Sequence, residues 1–117
     1  MTLKVETICA IASAIGQSGI GIIRVSGPLA RSIAKQILHT DLKPRYAYYG
    51  AFYGNDNSII DKGVAILFSA PNSFTGEDVV EFHGQGGSSV LRKLLETIIE
   101  SNVRLAEPGE FTKRAFL

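Results

Sequence analysis

The chain has 117 residues, 45% of them hydrophobic and 20% charged, which fits one folded domain with a core of its own. Lys and Arg number 12 and Asp and Glu 11, a formal net charge of +1 that argues against a domain devoted to coating nucleic acid, while leaving room for a local basic patch. A single cysteine, Cys9, excludes an internal disulfide and a Cys-based zinc cluster.

Residues 5–12, VETICAIA, read as a first strand, with Cys9 a small buried hydrophobe inside it. A Gly/Ser turn, AIGQSG, leads to a second strand over 20–26, IGIIRVS. Gly27-Pro28 punctuates the chain, and Leu29, Ile33, Ile37 and Leu38 lay an apolar stripe along a helix over 28–38. Residues 45–53, RYAYYGAFY, are aromatic and strand-like, and Gly54-Asn55-Asp56-Asn57 turns the chain into an antiparallel strand over 62–69. A fifth strand follows over 78–83. Val90, Leu91, Leu94, Leu95, Ile98 and Ile99 then mark an amphipathic helix over 88–101. A last helix begins after Pro108-Gly109 with Phe111, Ala115 and Phe116 on an apolar face, and it has no stop signal. The reading is therefore a single domain over 1–117, cut from a longer protein. The order β-β-α-β-β-β-α predicts an α+β fold: a mixed sheet of about five strands with helices packed on it.

Much chemistry is missing. No stretch approaches the ~20 apolar residues of a membrane span, and the N-terminus has no secretory pattern, so the cytosol is the default location. There is no phosphate loop of the G-x-x-x-x-G-K-[ST] kind, and HGQGGSS does not complete a dinucleotide fingerprint. His39 and His83 stand in different elements without metal-ligand spacing.

Two charges sit inside apolar strands: Arg24 in Ile22-Ile23-Arg24-Val25, and Glu81 in Val79-Val80-Glu81-Phe82. They either pair with each other or wait for a ligand that partners both. A carboxylate accepts two parallel hydrogen bonds from an amine beside a ring N–H, as on a pterin; a guanidinium suits a carbonyl or carboxylate, as on the glutamate tail of a folate. Thr75-Gly76 can present backbone N–H groups, and Gly84, Gly86 and Gly87 permit close backbone approach, although tight turns explain the same glycines. Lys43, Arg45 and the tyrosines of RYAYYGAFY suit stacked RNA bases, a sheet covered on both sides, or a subunit interface, with the last two preferred to RNA.

IGIIRVSGP, NSFTGEDVVEFHGQGG and RLAEPGEFTKRAFL, in this order, resemble the N-terminal domain of the MnmE/TrmE family of tRNA modification GTPases. The resemblance implies a fold similar to the aminomethyltransferase-type folate-binding domain, binding formyl-tetrahydrofolate near a homodimer interface. It further implies a longer protein with helical and GTPase domains, using GTP, Mg and K. With a flavin-dependent partner, such a protein places an aminomethyl-type group on ring carbon 5 of the wobble uridine of tRNA. The family's folate-contacting arginine and glutamate fall on Arg24 and Glu81, and a further lysine contact would fall beyond Leu117. The chain departs from the family in having Ile15-Gly16-Gln17-Ser18-Gly19 where Pro-Gly-Arg-Gly-Gly is common, and Gln85 where His often stands. The expected roles are Glu81 on the amino-pyrimidine edge and Arg24 on a carbonyl or carboxylate. The backbone of Thr75, Gly76, Gly84 and Gly86 shapes the pocket. The alternatives are an RNA-binding module or a purely structural dimerisation domain in which Arg24 and Glu81 pair.

Overall fold

The computed structural model describes residues 5–13 and 19–116. Most of the turn expected at 14–19, Gln17 included, lies outside the described residues. The elements are β1 (Ile8–Ser13), β2 (Gly21–Ser26), α1 (Ala30–Leu38), β3 (Tyr48–Tyr53), β4 (Ile59–Phe68), β5 (Val79–Gly84), α2 (Ser88–Ile99), β6 (Arg104–Leu105) and α3 (Glu110–Ala115). The strands form one sheet in the order β3-β4-β5-β2-β1-β6, antiparallel throughout except for the parallel β1–β6 pair. The α+β class with a mixed sheet therefore stands, with six strands rather than five. The added strand has only two residues, too few to show any period.

The ladder is built on alternation. Ile23 and Val25 of β2, Val80 and Phe82 of β5, Ala65 and Leu67 of β4 and Phe52 of β3 point to one face and are buried. Against them pack Ile33 and Ile37 of α1 and Leu91, Leu94 and Ile98 of α2, whose spacing makes the apolar stripes anticipated from the sequence. Phe52 and Phe82 meet edge to face at 5.5 Å, a favoured aromatic geometry. Cys9 is buried among these residues, as expected, and burial pushes its thiol up to about 11.

Several boundaries shift for local reasons. β1 starts at Ile8 because Val5 and Glu6 are exposed and the Thr7 hydroxyl turns away to accept the Leu29 N–H at 2.9 Å. Gly27, at φ +136°, crosses so close to Thr7 that a Cβ would lie 2.7 Å from its Cα, and α1 begins only after Leu29. β3 starts at Tyr48 instead of residue 45, because Arg45 adopts φ +68° and breaks the extended run. β3 is also an edge strand, with Tyr49 62% exposed, so a sheet covered on both sides within the chain fails there, while the subunit-interface alternative is untouched.

The other sheet face carries Ile22, Arg24 and Ser26 of β2 opposite His83, Glu81 and Val79 of β5. α3 is tied to it at one end: Arg114 donates to both oxygens of Glu77 at 3.0 and 3.3 Å, and the Ser26 hydroxyl donates to Glu77 at 2.7 Å. Among the described residues no helix is long and apolar enough to cross a membrane.

Candidate ligand-binding cleft

Arg24 and Glu81 are direct partners in the antiparallel β2–β5 register. Cross-strand neighbours stand about 5 Å apart at Cβ, well within side-chain reach. Arg24 Nε donates to Glu81 Oε2 at 2.9 Å, and Nη2 lies 2.7 Å from the same oxygen. The other oxygen, Oε1, is 3.1 Å from His83 Nε2. The idea that both charges stay unpartnered until a ligand arrives is thereby corrected. With side chains 28% and 16% exposed, either charge left alone would bear a desolvation cost, and the register puts its counter-ion directly opposite.

The pair nevertheless lines a cleft of about 500 Å³ that opens to solvent. Phe68, Pro71 and Val79 supply its apolar walls, Asn72 and Ser73 polar edges, and Arg45 a second cation. Phe74, 54% exposed, stands 5.6 Å from the Arg24 guanidinium, a cation–π arrangement that also leaves a ring surface at the cleft. The loop carrying these residues is braced at many points. Asp78 Oδ1 accepts the Ala70 N–H, the Asp78 carbonyl accepts the Gly27 N–H, and the Ser73 hydroxyl donates to the Glu77 carbonyl. Because the one proton of Ser26 goes to Glu77, the buried Thr75 hydroxyl donates to Ser26 at 2.7 Å.

The remaining sequence candidates do internal work. The Gly76 N–H is taken by the Ser73 carbonyl at 3.3 Å, in a turn with φ +81°. Thr75 and Gly76 support the cleft loop without lining the cleft. Gly84 and Gly86 lie beyond His83, towards the far end of β5. There Asp61 Oδ2 accepts the Gln85 and Gly86 N–H groups at 2.9 and 3.0 Å, and a Cβ on Gly84 would come 2.7 Å from that oxygen. Neither glycine lines the cleft.

Sequence reasoning missed Asp61, Glu77 and the cluster around Glu110. Arg104 grips Glu110 bidentately at 2.9 and 2.7 Å and reaches Glu6 at 3.2 Å, while Arg114 adds a contact at 3.2 Å. The hydrogen bonds from Arg104, ahead of every other influence, hold the Glu110 carboxyl down at about 2. The four-residue spacing from Glu110 to Arg114 was the available signal. His39 stacks on Tyr53 at 3.9 Å, and among the described residues no three His, Cys, Asp or Glu side chains gather as a metal site.

A six-stranded sheet backed by α1 and α2 on one face, with a charged cleft on the other, places the chain among α+β domains with an accessible sheet face. The chain belongs to the family described as GTP-binding protein TrmE N-terminus, whose model matches residues 7–117. It is 58% identical over its whole length to a tRNA modification GTPase MnmE from Vesicomyosocius okutanii, 56% to one from Ruthia magnifica and 52% to one from Pseudomonas fluorescens. In each case it spans 26% of the relative, so the chain covers about a quarter of the length of these proteins.

Proposed function

We propose that this chain is the folate-binding and homodimerisation part of a GTPase that modifies the wobble uridine of tRNA, with formyl-tetrahydrofolate held in the cleft above Arg24 and Glu81. The observation that carries the reading is a carboxylate on the floor of a cleft of fitting size, beside an exposed aromatic ring. Ligand pockets run to roughly 300–1,000 Å³, so a flat heterocycle has room. The ion pair acquires a role in this reading. Arg24 holds Oε2 and so aims the carboxylate; Oε1, whose partner among the described residues is His83, is the oxygen that an amino-pyrimidine edge takes from it. Thr75 and Gly76 brace the loop around the ligand, and Gly84 and Gly86 secure the far end of the same strand.

The names of the relatives support the wider proposal of a GTPase, in a longer chain, that acts in tRNA modification; Mg and K as its ions and the cytoplasm as its location belong to the same proposal. A flavin-dependent protein partner belongs to the same proposal. A homodimer belongs to the proposal too, and the exposed side chains of Ile11 and Leu105, on the adjoining strands β1 and β6, are apolar surface that a second copy could cover.

Titration calorimetry with formyl-tetrahydrofolate tests the reading. Glu81→Gln should weaken binding by about 1–3 kcal/mol, the worth of a charged hydrogen bond. Equal affinity in the variant and the parent removes Glu81 from the ligand. The direct Arg24–Glu81 bond itself favours a second reading, a structural domain that only dimerises. A chain that sediments as a dimer and is indifferent to the folate would establish that one.

A further inference from the structure

We propose that Arg45 is the anion-binding residue of this cleft and takes a carboxylate at the far end of the ligand whose heterocycle meets Glu81. The inference rests on the folate reading above and moves the carboxylate role from Arg24 to Arg45.

Charge is the first ground. The cleft is lined by two guanidinium groups and one carboxylate, Arg24, Arg45 and Glu81. Arg24 and Glu81 neutralise each other, with Nε and Nη2 of Arg24 both spent on one oxygen. Among the described residues the Arg45 side chain has no hydrogen bond and no ion pair. The neighbouring cations are occupied: Lys43 Nζ lies 4.3 Å from the centre of the Tyr46 ring, and Arg31 Nη2 donates to the Ser69 hydroxyl at 2.7 Å. The net charge of the cleft is therefore one positive, and Arg45 carries it.

Backbone geometry is the second ground. Arg45 has φ +68°, a left-handed conformation that costs a residue with a Cβ roughly 1–2 kcal/mol. It is pinned there by its N–H, which donates to the Leu67 carbonyl at 2.8 Å and ties it to the end of β4 beside Phe68 of the cleft wall. Strain held in place by surrounding structure is characteristic of residues positioned for a ligand. An arginine fork matches a carboxylate with two parallel hydrogen bonds, which a lysine cannot reproduce.

The test uses calorimetry on the full chain with two probes: formyl-tetrahydrofolate, and its diamide, in which both tail carboxylates are neutral carboxamides. R45Q should lose about tenfold in affinity for the acid and stay within about twofold for the diamide. R45K, which keeps a cation without the fork, should lose less than R45Q. If R45Q weakens both probes alike, or neither, Arg45 does not hold the tail, and the folate reading survives without it. If the parent chain binds neither probe, the folate reading falls and this inference falls with it.

Discussion

The Arg24–Glu81 pair lends itself to a double-mutant cycle of Arg24→Gln, Glu81→Gln and the two together. At a separation of about 4 Å and an effective dielectric of about 20, two unit charges attract by about 4 kcal/mol. Desolvation offsets much of that in a half-buried setting. With side chains 28% and 16% exposed, the pair should retain a coupling of about 1–2 kcal/mol, above the ~0.2–1 kcal/mol of solvent-exposed pairs. Each single variant strands the remaining charge and should cost about 2 kcal/mol. At roughly 4 °C per kcal/mol for a domain of this size, that lowers Tm by about 8 °C. The double variant should cost clearly less than the sum of the singles. Thermal and urea unfolding, followed by circular dichroism, read all four proteins. Additivity within about 0.3 kcal/mol would refute the pairing described for these two residues.

Glu110 makes acid sensitivity specific to α3. Its carboxyl sits at about 2 when folded against an ordinary value near 4.3, so its stabilisation is complete above about pH 4.5 and fades as pH falls towards 2. Glu110→Gln should flatten the acid limb of the stability profile in that window; an unchanged limb contradicts the assignment. Gly63→Ala would set a Cβ 2.0 Å from the His83 carbonyl oxygen and should cost about 3 kcal/mol or more, measurable by urea unfolding. Gly76→Ala meets no neighbour but keeps φ +81°, and should cost only about 1–2 kcal/mol. Cys9, buried and with its thiol raised to about 11, should react with a thiol reagent at pH 8 only as fast as the chain opens. Immediate labelling of the folded chain would show that the thiol is accessible.

The elements that sequence reasoning located are those whose stabilisation is local. Leu91, Leu94 and Ile98 announce α2 by their spacing, and Gly54 to Asn57 announce the β3–β4 hairpin because Asn57 tolerates φ +64°. β6 escaped because Arg104 and Leu105 become a strand only through distant partners, Ile8 and Cys9. The start of β4 at Ile59 escaped because Asp61, read alone, looks like part of the turn; its role lies in the N–H groups of Gln85 and Gly86. Arg24 and Glu81 stood out individually as charges among apolar neighbours. Whether they met depended on the β2–β5 register, which no local pattern encodes. Arg45 was visible as a cation, but its backbone conformation and its place at the cleft depend on the end of β4.

The seam between β2 and β5 joins residues 57 positions apart in the chain, whereas β1–β2, β3–β4 and β4–β5 each join successive strands. Apart from β6, which reaches β1 from near the far end of the chain, the sheet is thus two locally made pieces welded along its middle, and bringing those edges together bears the loop-closure entropy of joining them. That encounter should govern how fast the protein acquires its shape. Transition-state mapping would place Val25 and Phe82, which flank the weld, ahead of residues in the β3–β4 hairpin, and the reverse ranking would rule it out. A chain ordered this way behaves in refolding like two small partners finding each other, tethered by the segment that contains α1.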